Sequence, residues 1–180
     1  MAGRIAILRG INVGGKRKII MKDLKILFLD MGFRNVETYI QSGNVFFDSD
    51  ENLSDIEICG KIEHTISNKY DFEVPVIVRS EKDIEEVIQI NPFYEVGNVD
   101  VNQLHLTFLK DTPTSENCAI TESYNFKPDR FKILGNHVFV YCEGKYHQTK
   151  LNNNFFENKL KTAATTRNWK TVLKLLELSK

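Results

Sequence analysis

Apolar and polar residues alternate along the first half of the chain with two different periods, and the change of period marks its elements. Ile5-Ala6-Ile7-Leu8 is a short continuous apolar run, as expected of a central strand buried on both faces. Leu24, Leu27, Phe28 and Met31 recur at helical spacing, with Gly32 as a natural stop. Residues 36–41 alternate, Ser42-Gly43-Asn44 turns, and Val45-Phe46-Phe47 returns, which predicts a hairpin. Ser54 and Glu57 have capping-box spacing ahead of a stripe of Ile58, Ile62 and Ile66. Residues 74–78 read as a strand in which Pro75, lacking an N–H, favours an edge or a strand start. Ser80 then caps a helix carrying Ile84, Val87 and Ile88, which ends before Pro92. The resulting order, β-α-β-β-α-β plus one helix, is the ferredoxin-like arrangement.

The second half reads as a looser copy. Residues 104–108 alternate as a half-buried strand, and 111–124 allow a short helix of poor periodicity. Residues 131–134, Gly135-Asn136 and 138–142 form a second hairpin, turning on the same Gly-Asn pair as the first, which points to internal duplication. Two helices are expected to finish the chain, the last with Trp169, Val172, Leu173 and Leu176 on one face and Lys170 and Lys174 on the other. The expected class is α+β: a ferredoxin-like half, residues 1–95, followed by a smaller related α/β half, residues 96–180, with two C-terminal helices. Residues 92–100 are the expected joint, packed down by Phe93 and Tyr94.

Composition changes this picture little, but charge changes it more. At 180 residues, 42% hydrophobic and 27% charged, the chain is an ordinary globular protein. No apolar run approaches the roughly 20 residues that span a bilayer, and the N-terminus lacks a signal-peptide pattern. Cys59, Cys118 and Cys142 are odd in number and widely spaced, which fits reduced thiols in the cytosol. The net charge of zero conceals segregation. Residues 1–34 carry a net charge of +6, residues 145–180 another +6, and the middle −12. Two basic ends meeting in space would attract an anion; two solvated faces would do nothing.

The candidate chemistry lies in three polar stretches. Arg9-Gly10-Ile11-Asn12-Val13-Gly14-Gly15-Lys16-Arg17-Lys18, with three glycines and four cations, joins a buried strand to a helix, where α/β folds offer main-chain N–H groups to anions. The spacing from Gly10 to Lys16 nearly meets the P-loop pattern, but Arg17 stands where a magnesium-binding hydroxyl is needed. A tight turn needing positive φ is the alternative reading. Gln41-Ser42-Gly43-Asn44 should lie beside this loop if the first and third strands are antiparallel, either binding a ligand or satisfying its own turn. Thr165 or Thr166 is expected to cap the last helix, placing Arg167 in its first turn against the helix dipole. A bound anion or an acidic partner would explain that placement. Trp169 reads as a core anchor. The four histidines show no metal-ligand spacing, no cofactor motif is present, and neither a DNA-readout motif nor the RNA-recognition aromatic run occurs.

Residues 9–16, Tyr39–Phe46 and Ala164–Trp169 resemble the three signature stretches of the bacterial domain-of-unknown-function 1697 family. Lys150-Leu151 is similar to that family's Ser-Lys-Leu step, with Thr149 in place of serine. The resemblance implies a cytoplasmic bacterial protein with a two-part α/β fold and no established activity. The charge segregation and the three polar stretches set the expected function: binding of a phosphate-bearing ligand (nucleotide, phosphometabolite or RNA backbone) at a basic cleft between the halves. Its expected residues are Arg9, Gly10, Asn12, Gly14, Gly15, Lys16, Gln41, Ser42, Asn44, Lys150, Thr165, Thr166, Arg167 and Asn168. No metal, cofactor or membrane partner and no catalytic residue is indicated. The alternative is a structural or protein-partner module.

Overall fold

The computed structural model describes residues 2–50, 52–94 and 99–180, so residues 95–98 of the expected joint lie outside the described residues. The chain divides into two compact units, Met1–Asp83 with Ser179–Lys180, and Ile84–Leu178.

In the first unit the elements are β1 (Ala2–Leu8), α1 (Met21–Asp30), β2 (Arg34–Tyr39), β3 (Asn44–Ser49), α2 (Asp55–Tyr70) and β4 (Val76–Arg79). They form an antiparallel sheet ordered β2-β3-β1-β4, with α3 (Glu81–Gln89) running on across the division between units. As its apolar run requires, β1 is central, and Ile5–Leu8 are buried on both faces. Leu8, Val45, Phe47, Val76 and Val78 meet Leu24, Phe28, Ile58, Ile62 and Ile66 of α1 and α2 in one core. The caps are where the side-chain chemistry puts them. Ser54 and Glu57 complete the capping box, and the Ser80 hydroxyl accepts from the Asp83 N–H at 3.2 Å. Pro75 precedes β4, an edge strand, as its missing N–H demands.

The second unit holds β5 (Leu104–Leu109), α4 (Ser115–Glu122), β6 (Arg130–Leu134), β7 (His137–Tyr141), α5 (Asn153–Leu160), β8 (Ala164–Asn168) and α6 (Trp169–Ser179). Its sheet order, β6-β7-β5-β8, repeats the first. Two expectations are corrected here. The first concerns β5, which is central and buried at all six positions, not half-buried. The second concerns the C-terminal stretch: a strand, β8, separates α5 from α6, so Thr165 and Thr166 cap no helix and Arg167 is not in a first turn. Asn168 is the cap, its Oδ1 accepting from the Thr171 N–H at 2.8 Å. On α6 the buried stripe is Trp169, Thr171, Val172 and Leu175, with Leu173 and Leu176 only half-buried.

The duplication extends to the hydrogen-bond register. Leu8 N–H donates to Gly43 O at 2.8 Å and Arg9 N–H to Pro75 O at 2.9 Å. Their counterparts are Leu109 N–H to Asn136 O and Lys110 N–H to Ala163 O, both at 2.9 Å. Gly43 thus corresponds to Asn136, and the two Gly-Asn pairs are one residue out of step. The same register equates Arg79 with Arg167: each is buried on the last strand of its unit and is followed by a helix-capping residue, Ser80 or Asn168.

Candidate functional site

The glycine-rich loop is a miniature hairpin. The Lys16 N–H donates to Val13 O at 3.1 Å and the Asn12 N–H to Arg17 O at 3.1 Å, with Gly14 and Gly15 at the tip. Both tip glycines have positive φ, 59° and 73°, as a type I′ turn requires. A Cβ at either would meet nothing within 4 Å, so backbone conformation and not crowding calls for glycine there.

Asn12 is the hub of the loop. At φ 57° its Nδ2 donates to Ile19 O at 2.9 Å and to Gln41 O at 3.0 Å, while its Oδ1 accepts from the Ile19 N–H at 2.9 Å. One side chain therefore closes the loop on itself and ties it to the β2–β3 turn. The antiparallel pairing of β1 with β3 brings the two motifs side by side, as their neighbourhood required. Gly43 completes the junction: at φ 79°, a Cβ there would lie 2.6 Å from Ile11 Cδ1 and 2.9 Å from Leu8 Cβ. Asn44 is fully buried, and its Nδ2 donates to Tyr39 O at 3.1 Å and more weakly to the Ser42 hydroxyl at 3.4 Å. Much of what reads as a ligand-binding motif is joinery.

An open cavity of ≈ 440 Å³ remains beside this junction, lined by Asn12, Gly15, Lys18, Ile19, Ile20, Met21 and Gln41. It lies at the start of α1, whose cap position is Ile20, with no side-chain hydrogen bond to the first turn. The leading N–H groups of a helix have no intrahelical partner, and they carry its positive dipole end. Lys18 and Lys22 add charge of the same sign beside the first-turn carboxylate of Asp23. Of the expected residues, Asn12, Gly15 and Gln41 line this cavity. Lys16 is exposed on the hairpin, Arg9 continues β1 toward Pro75, and Gly10 holds φ 66° with room for Arg17 Nη1 at 3.4 Å from a Cβ. Lys18 belongs to the loop's cations but not to the expected site residues, and Ile19, Ile20 and Met21 were missed by sequence reasoning. Their signal was a helix beginning Ile-Met, with no Ser, Thr, Asp or Asn to cap it.

The remaining expected residues belong to the second unit. Lys150 is exposed in the segment leading to α5. The Thr165 hydroxyl accepts from Arg167 Nη1 at 3.0 Å, and the same nitrogen donates to Thr166 O at 3.1 Å. The Thr166 hydroxyl lies 2.7 Å from that of Thr107 and donates to Asn153 Oδ1 at 2.7 Å. Burial pulls the Arg167 guanidinium down to about 10, since the charged form loses water. Burial likewise pushes the Cys142 thiol up to about 11, which makes it a poor nucleophile. Among the described residues no group of three or more His, Cys, Asp or Glu is placed to hold a metal ion, and no helix is long and apolar enough to cross a membrane.

Comparison with known proteins adds a family and a fold. The model of a family described as "Protein of unknown function (DUF1697)" matches residues 1–139. Among solved structures the chain is similar to the conserved bacterial protein SP0830 from Streptococcus pneumoniae, with a TM-score of 0.79 and 25% identity over 99% of this chain and 98% of that one. No curated protein matches.

Proposed function

Since the chain belongs to the family described as "Protein of unknown function (DUF1697)", which names no reaction, we propose a function from its own geometry: it binds a phosphate-bearing small molecule, a nucleotide or phosphometabolite, in the cavity at the start of α1. One observation carries this reading. The first turn of α1 has no side-chain cap and borders an open cavity that Lys18 and Gln41 line. Main-chain N–H groups at a helix start, joined by an ammonium and an amide, suit a phosphate dianion. Asp23 opposes an anion there, and Lys18 and Lys22 outnumber it.

A thermal-shift screen at low salt with inorganic phosphate, nucleotides and phosphosugars tests the proposal. Stabilisation that is lost in Lys18→Ala supports it. Equal stabilisation of wild type and Lys18→Ala, or none of either, sinks it.

A second reading, a structural or protein-partner module, is favoured by Asn12 and Asn44, whose amides are already engaged within the chain. On that reading Asn12→Ala lowers the melting temperature, while no phosphate compound raises it.

A further inference from the structure

The second unit carries an open cavity of its own, of ≈ 330 Å³, at the outer edge of its sheet. Its walls are the 123–129 segment and the edge strand β6, a region the phosphate-site reading leaves unused.

Aromatic side chains build one side of it. The Tyr124 and Phe126 rings lie nearly parallel, 7° apart in plane and 6.1 Å between centroids. Phe126 and Phe131 are half-buried and lean on the second unit's core, so they form a fixed floor. Tyr124 is different: 40% of it stays exposed although its ring meets those of Phe126 and Phe155.

Cations build the other side. Lys127, Arg130 and Lys132 line the cavity, and Lys159 Nζ lies 4.5 Å from the Tyr124 ring centroid. Arg130 Cζ lies 4.6 Å from the Tyr141 ring centroid and 5.4 Å from that of Phe93, cation–π contacts that keep the guanidinium at the cavity. The two lining acids are hydrogen-bonded within the protein, and the pairing of Glu122 offsets the lining Lys132 as well, which leaves Lys127 and Arg130 to face a phosphate. Glu122 pairs with Lys132 at 3.0 Å, and Asp129 accepts from the Glu143 N–H at 3.1 Å and the Thr149 hydroxyl at 2.5 Å.

We propose that this cavity binds a nucleotide unit, free or within a single-stranded nucleic acid, with its base on Tyr124 and its phosphate between Lys127 and Arg130. An exposed ring interleaved with cations is the arrangement by which single-stranded nucleic acid is held without sequence readout. An aliphatic anion would gain nothing from the exposed part of the Tyr124 ring, and a neutral apolar ligand would desolvate the cations without compensation. The volume lies near the lower end of ligand sites, roughly 300 Å³, and suits one nucleotide.

The test is fluorescence anisotropy with a labelled short single-stranded RNA at low salt, beside calorimetric titration with mononucleotides. Binding in both assays identifies a free nucleotide as sufficient, and binding of the strand alone identifies the polymer. Tyr124→Leu should weaken binding roughly tenfold, within the range of one base–aromatic stack, while Tyr124→Phe binds like wild type. Lys127→Ala, at an exposed position, should flatten the log–log salt dependence by about 0.7. Both assays are run in a Lys18→Ala background, so that nucleotide held at the start of α1 does not contribute and the failure of this proposal is read separately from that of the phosphate site. The proposal is overturned if neither probe binds, if a normally melting Tyr124→Leu protein binds as wild type does, or if Lys127→Ala leaves the salt slope unchanged.

Discussion

Replacing Asn12 by alanine removes the clip that holds the hairpin to the β2–β3 turn. Three hydrogen bonds to main-chain atoms go with it: Nδ2 to Ile19 O, Nδ2 to Gln41 O, and the Ile19 N–H to Oδ1. At about 1 kcal/mol net each they would sum to about 3, and partial exposure lets water replace some of that, leaving about 2 kcal/mol. Alanine must also hold φ 57°, a left-handed conformation that costs it about 1 kcal/mol more than asparagine. The expected loss is about 3 kcal/mol, or roughly 6–12 °C in Tm for a chain of this size. Asn12→Gly keeps the conformation and loses only the bonds, so it should recover about 1 kcal/mol of that loss. Thermal melts give the totals, and hydrogen exchange at the Ile19 amide shows whether the loop opens by itself. If Asn12→Ala melts within a degree or so of wild type and the Ile19 amide stays equally protected, the clip is unimportant and the reasoning fails.

The glycines should differ sharply. Gly43→Ala adds a clash with Ile11 and Leu8 to left-handed strain and should cost at least about 2 kcal/mol, whereas Gly14→Ala, with open space around it, should cost about 1 in denaturant melts. His105 supplies a pH dependence. Burial lowers its pKa from 6.5, so the unfolded chain takes up the proton first and stability falls as pH drops below 6.5. His105→Leu should flatten the Tm–pH curve on that acid side, and an unchanged slope there would remove His105 from the explanation.

The sequence was most legible where burial imposes a period. β1, the amphipathic helices and both hairpins follow from apolar spacing and turn residues, because each buries one face or two against a core. β8 was not legible, for the converse reason. Ala164-Thr165-Thr166-Arg167-Asn168 has no apolar alternation, since its side chains satisfy one another and polar neighbours: Arg167 on Thr165, Thr166 on Thr107 and Asn153. Its β-branched threonine pair was the available strand signal, and the preference of threonine for helix caps competed with it. The glycine loop misled in a similar way. Gly14-Gly15 between Val13 and Lys16 is a two-residue hairpin signal, and the count of glycines and cations drew the reading toward an anion cradle instead. Lys18, which lines the cavity, is the last of the loop's four cations, and the expected site stopped two residues short of it, at Lys16.

The most direct measurement is an amide chemical-shift titration of the whole chain with inorganic phosphate and then with mononucleotides at low salt. Saturable shifts at Gly15, Lys18, Met21 and Lys22, absent in Lys18→Ala, are the expected result for a phosphate held at the start of α1. An unmoved first turn of α1, or shifts there that survive Lys18→Ala, would contradict it.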